Sequence, residues 1–217
     1  MTVKIIAITV YALLTVTLAL LKGLKVDSRG RGAVKMITAA VFVAAGIYGC
    51  VTQDCEYGFV LVIGLVFAFL GDLFLVFMDK RALFIAGVIS FSCSSLTFTV
   101  YAVLRFGFQW WALLPFAVLC AASVICQVKK LYDFGSCAVY LNIYTVLVTL
   151  CGCTGLILLC TTADVSVILF GAGCLAYMLS DVCLGLYIYK LRHRYVDIIN
   201  TLLYFPGLFL IALSLIF

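Results

Sequence analysis

The chain has 217 residues, of which 67% are hydrophobic and only 11% charged, and it carries a net charge of +5. A soluble domain of this size needs a polar skin, and globular chains typically carry about 25% charged residues, so a water-exposed globular fold is excluded. The positive charge does not point to nucleic acid, because the basic residues stand in short breaks between apolar runs, where they report membrane orientation.

Apolar runs of about 20 residues recur along the whole chain, each long enough at roughly 1.5 Å per residue to cross a hydrocarbon core. Read against the charged breaks, they predict eight helices over 3–21, 33–51, 58–78, 82–104, 110–128, 138–160, 165–189 and 198–217. The first run is long for a signal-peptide core and shows no clear small-residue cleavage site, so it is read as a helix. The second has Lys35 and Met36 in its opening turn, and the third carries Asp72 in GLVFAFLGDLFLVF. The fifth opens on Trp110 and Trp111, which suit an interfacial anchor. The seventh carries Asp181 in GAGCLAYMLSDVCLGLYIY, and the eighth contains Tyr204. No Pro/Ser-rich linker or soluble domain interrupts the series. The expected fold class is therefore an all-α integral membrane protein, one transmembrane domain over 1–217.

The breaks alternate in charge. Lys22, Lys25, Arg29, Arg31 and Lys35 surround the first, Lys80 and Arg81 the third, Lys129 and Lys130 the fifth, and Lys190, Arg192 and Arg194 the seventh. The other side has only Lys4 and Arg105, with acidic Asp54, Glu56 and Asp164. Positive residues favour the cytoplasm, so the odd-numbered loops are expected there and both termini on the opposite side of what reads as the cell membrane. The eleven cysteines lack CxxC spacing and histidine partners and read as small packing residues, so no metal or cofactor is expected. His193, between Arg192 and Arg194, reads as a solvated loop residue.

Asp72 and Asp181 are the only acidic residues inside the predicted helices. An aspartate near the bilayer centre costs about 2.5–3.5 kcal/mol on insertion scales, and such residues are usually functional. Both helices run toward the same side, so the two carboxyls fall at matching depth, roughly 10–14 Å inside the helix ends. They are 109 residues apart, half the chain, and the same offset sets Gly64 on Gly173, Leu75 on Leu184 and Gly46 on Gly155. Four helices per half would make the halves, 1–108 and 109–217, parallel repeats about an axis along the membrane normal.

Paired carboxyls in a low-dielectric pocket let one group stay protonated while the other is ionised, which supplies a general acid and a general base without a metal. Two other readings stand beside this one. Each carboxyl could instead lock a neighbouring helix through a tyrosine or serine, or both could serve proton-coupled transport or lipid binding without catalysis.

The run Gly71-Asp72-Leu73-Phe74-Leu75, followed by Phe84, Gly87 and Phe91, and the run Gly171, Gly173, Tyr177, Ser180-Asp181, Leu184 carry a further signal. With Tyr204-Phe205 in the last helix, they resemble the YhhN-type lysoplasmalogenase family, eight-helix membrane proteins with a GD motif in the third helix and an SD motif in the seventh. The likeness implies a hydrolase that cleaves the vinyl-ether bond of lysoplasmalogens, releasing a fatty aldehyde and a glycerophospho-ethanolamine or -choline. It implies Asp72 and Asp181 as catalytic residues and an ether lysophospholipid, drawn from the bilayer, as the substrate. Lys35 matches a lysine opening the family's second helix and is a candidate for the substrate phosphate, beside the reading in which it snorkels from the helix end to the surface. The sequence departs from the family where Ser95 and Phe98 replace a histidine and a tyrosine, where Met36 replaces a proline, and where Leu208 replaces a glutamine. Tyr177, one turn before Asp181, is the expected hydrogen-bond partner of that carboxyl. Ser94, Ser95, Tyr101, Asn142, Tyr144 and Tyr204 are candidates to line the cavity, although each taken singly reads first as a packing residue.

Overall fold

The computed structural model describes residues 2–24, 28–53, 55–77, 79–131, 134–188 and 193–217. Of the charges read for orientation, Lys25, Asp54, Lys190 and Arg192 lie outside them. The described residues form eight α-helices: α1 Thr2–Gly23, α2 Ser28–Thr52, α3 Gly58–Val76, α4 Arg81–Phe106, α5 Leu113–Val128, α6 Ala138–Thr161, α7 Val165–Leu186 and α8 Arg194–Leu213. Seven are long and apolar enough to cross a membrane, and the described part of α1, Ile8–Gly23, is a shorter apolar helix. The number and order of helices agree with the hydropathy reading. Most boundaries differ by a few residues: α2 starts earlier, at Ser28, α3 ends earlier, at Val76, and α8 starts at Arg194. At α2 and α8 the helix extends into charged residues where hydropathy drops, whereas α3 ends at Val76 while the sequence is still apolar.

Six helices close into a ring in which α2 packs on α3, α3 on α4, α4 on α6, α6 on α7, α7 on α8, and α8 back on α2. Helix α1 lies outside the ring against α8 and α2, while α5 leans on α6. None of the residues of α5 is buried, so its apolar surface is suited to lipid. A Gln127 side-chain amide donates to Asn142 Oδ1 at 2.8 Å across the α5–α6 seam. Trp110 and Trp111 project outward, 73% and 74% exposed, as interfacial anchors would.

Small residues set how closely the ring helices approach, the means available where lipid offers no hydrophobic drive between helices. A Cβ at Gly173 would lie 2.6 Å from the Gly207 carbonyl oxygen, and one at Gly155 would lie 2.7 Å from that of Gly171. Caps and cross-ties finish the helix ends. Asp164 caps α7 by accepting from the Ser166 and Val167 amides, while the Ser166 hydroxyl donates to the Ser214 carbonyl at 2.6 Å. At the other, basic end, Lys22 of α1 pairs with Asp197 of α8 at 2.6 Å.

Gly173→Leu must push α7 off α8. It is expected to destabilise the detergent-solubilised protein by at least the roughly 1–3 kcal/mol of an overpacked core, read as a lowered melting temperature. Gly185→Ala meets open space and should be neutral or slightly stabilising.

Candidate active site

Asp72 sits one helical turn before the end of α3 and is 2% exposed. Its helix ends earlier than the hydropathy pattern suggests, so it lies roughly 6 Å from that end rather than 10–14 Å. A carboxylate this deep needs compensation, and two other helices supply it. The Lys35 ammonium of α2 meets Oδ1 at 2.9 Å, and the Tyr204 hydroxyl of α8 donates to Oδ2 at 2.9 Å. Lys35 therefore turns inward instead of snorkelling to the surface, and its charge is engaged by Asp72 rather than left free for a phosphate. Lys22, paired with Asp197, is within electrostatic reach of both Lys35 and Asp72. Arg31, one turn from Lys35 on α2, has a buried Nε without a hydrogen-bond partner.

Asp181 lies five residues before the end of α7, at a depth close to that of Asp72, and is half-buried. Its partner is the Tyr144 hydroxyl of α6, which donates to Oδ2 at 2.5 Å. The expectation that Tyr177 would fill this role is overturned. Tyr177 shares the helix face of Asp181, but its fully buried hydroxyl makes no hydrogen bond and has Ser95 and Tyr144 as polar neighbours. Ser95 is fully buried and donates to the Phe91 carbonyl of its own helix at 3.0 Å.

Aromatic rings join the two carboxyls into one site. Phe91 stands between their tyrosines, 6.0 Å from the Tyr204 ring and 6.3 Å from the Tyr144 ring. Tyr177 lies 5.9 Å from Tyr204 and 6.2 Å from Phe98. The close approach of Phe91 depends on Gly71, beside Asp72, where a Cβ would lie 2.8 Å from the Phe91 ring. The two carboxyls are within electrostatic reach of each other. This cluster of Lys35, Asp72, Tyr144, Tyr177, Asp181 and Tyr204 sits among the residues of the GD and SD motifs.

A chain-length match then decides the family: the YhhN family model covers residues 30–215. The chain belongs to the YhhN family. Neither a curated relative nor a solved structure matches it. The YhhN motifs thus fall on the two ends of the cluster, with Gly71-Asp72 at one and Ser180-Asp181 at the other.

Tyr144 is the residue that the sequence reading undervalued, treating it as one cavity residue among several. A signal was available, since the 109-residue offset that pairs Asp72 with Asp181 also pairs Lys35 with Tyr144. Four of the candidates to line the cavity, Ser94, Ser95, Tyr101 and Asn142, hydrogen-bond neither carboxyl. Asn142 is bonded to Gln127, and Tyr101 packs against Phe106 and Phe170. A cleft of about 520 Å³ lined by Gln53, Arg105, Thr162 and Asp164 contains neither Asp72 nor Asp181.

Removing one partner of a buried ion pair leaves the other charge uncompensated. Lys35→Met should cost about 3–5 kcal/mol of stability, and adding Asp72→Asn should restore most of it. A double variant that melts no higher than Lys35→Met would show that the pair does not hold the bundle.

Proposed function

We propose that the protein is a membrane-embedded hydrolase that cleaves the vinyl-ether bond of lysoplasmalogen-like lipids, with Asp181 moving protons and Asp72 holding fixed negative charge. The observation that carries this reading is the inequality of the two carboxyls within one aromatic cluster. Asp72 is closed off by a cation and a tyrosine, whereas Asp181 is half-buried, has one phenolic partner and pairs with no cation among the described residues. An ammonium held against a carboxylate favours its charged form. A carboxyl in apolar surroundings with no cation is suited to carry a proton and give it up.

Vinyl-ether hydrolysis uses both states. Asp181 gives its proton to the alkene carbon remote from the ether oxygen, and the electron pair of the double bond forms the new C–H bond. The adjacent carbon becomes part of an oxocarbenium ion, which Asp72 stabilises through space. Water adds to that carbon as the Asp181 carboxylate takes its proton, giving a hemiacetal. In the collapse the C–O bond to glycerol breaks, the glycerol oxygen takes the proton from Asp181, and the hemiacetal hydroxyl returns one to it. The products are a fatty aldehyde and a glycerophospho-alcohol, and Asp181 ends protonated as it began.

Under the positive-inside rule the site faces the cytoplasmic leaflet. A single-chain lipid entering sideways would keep its head group at the basic end. Arg31 lies there, about one turn, roughly 6 Å, outward from Lys35 along α2, a distance suited to the glycerol that separates a phosphate from the ether oxygen. Lys35, the earlier candidate for that phosphate, serves Asp72 in this reading.

Aldehyde release from a 1-alkenyl lysophospholipid by the purified protein tests the proposal. Asp181→Asn should lower kcat by about 10²–10⁴-fold and Asp72→Asn by about 10²–10³-fold, both in protein that remains folded. Full rate in either variant rejects the mechanism. A lipid-dependent proton flux in vesicles with no aldehyde formed would favour transport instead.

A further inference from the structure

Contacts 109 residues apart repeat around the ring. Lys35 meets Asp72 in one half, and Tyr144 meets Asp181 in the other. Gly46 sits against Val62 and Leu65, and Gly155 against Gly171 and Cys174. Gly64 is covered by Phe98, and Gly173 by Gly207. Gly71 is covered by Phe91, and the Asn200 amide donates to the Ser180 carbonyl at 2.8 Å. In each case both members of the second contact are the first pair shifted by 109. The ring order α2, α3, α4, α6, α7, α8 is itself unchanged when α2, α3 and α4 are exchanged with α6, α7 and α8. Few of these residues are identical, so the correspondence lies in which positions touch.

One contact crosses between the halves at the site. Tyr204 of α8 reaches Asp72 of α3, and its counterpart under the offset is position 95 of α4 facing Asp181. That position holds serine, too short to reach as a tyrosine does. The residue one turn before each aspartate differs in the opposite sense: Ala68 precedes Asp72, and Tyr177 precedes Asp181. Large Tyr204 with small Ala68 in one half thus becomes small Ser95 with large Tyr177 in the other. The exchange conserves ring volume but not the hydrogen bond, because the Tyr177 hydroxyl is buried without a partner. A buried hydroxyl in that state is costly, and a water with polar partners, where there is room for one, removes that cost.

We propose that α2–α4 and α6–α8 are quasi-equivalent parallel repeats, and that the hydroxyls of Ser95 and Tyr177 hold one water molecule against Asp181 where Tyr204 closes on Asp72. Ser95 and Tyr177 are then positioning residues for that carboxyl, and the water is the one added during hydrolysis. This last clause rests on the proposed activity; the repeat and the water site do not.

Melting temperatures in detergent test the first part. Ser95→Tyr alone should lower the melting temperature, and adding Tyr177→Ala should restore it to near that of the parent. The restored variant should also melt a few degrees above the Ser95→Phe/Tyr177→Ala pair, because only its introduced hydroxyl can reach Asp181. Equal melting of the two pairs, or no recovery, overturns the equivalence. Tyr177→Phe tests the water. Loss of a satisfied hydroxyl lowers the melting temperature, and kcat should fall about tenfold with KM little changed. A raised or unchanged melting temperature shows an unpaired packing hydroxyl and overturns the water site. If the parent releases no aldehyde, the hydrolase reading fails while the melting series still decides the repeat and the water.

Discussion

In a bundle this apolar, the ion pair between Lys35 and Asp72 is the contact that fixes how three helices meet. The two groups come from α2 and α3, and the Tyr204 hydroxyl of α8 fills the second carboxylate oxygen. A buried pair adds little net stability over an apolar substitute, but any arrangement that separates its members leaves a bare charge in a low-dielectric interior. The contact therefore acts mainly on register. Helices α2, α3 and α8 slide little against one another without breaking it, and Phe91 and Tyr177 pack on the face that it fixes.

Close backbone approach does the rest. At Gly173 and Gly207 two helices meet almost main chain to main chain, and at Gly71 the missing Cβ admits the Phe91 ring beside Asp72. The glycine of the GD motif thus has a steric task distinct from the chemistry of its neighbour: it brings an aromatic wall against the carboxyl and keeps solvent from it. Dispersion at such contacts, with the few interhelical hydrogen bonds, replaces the hydrophobic drive that lipid removes. Helix α5 shows the contrast. Its contacts lie along α6, and an amide pair, Gln127 with Asn142, ties it there.

Hydropathy and the charged breaks were enough to count and order the helices, because a span of lipid imposes a minimum apolar length whatever the neighbours are. They also located the two carboxyls, since a charge within such a run stands out against its surroundings. They misplaced the helix ends, where charged residues such as Arg194 continue a helix past the apolar core. Partner choice was less legible. Tyr177 was expected at Asp181 because it shares a helix face one turn away, but a neighbour on the same helix points alongside the carboxyl, whereas Tyr144 on α6 points at it. Tyr204, by contrast, was already among the candidates, and it meets Asp72.

Both carboxyls bond a tyrosine, as a purely helix-locking role would also require, so those bonds alone do not argue for catalysis. Lys35 does distinguish the two sites. If locking were the only task, a second phenol would satisfy Asp72 at less desolvation cost than an ammonium. The Lys35 ammonium favours the charged form of Asp72, and among the described residues no cation pairs with Asp181, which is half-buried and bonded to Tyr144. A fixed negative charge beside a carboxyl free to change its protonation state is what a reaction through a cationic intermediate requires. Two similar positions of the ring have thus been given different electrostatic duties by the exchange of Lys35 for Tyr144 and of Tyr204 for Ser95.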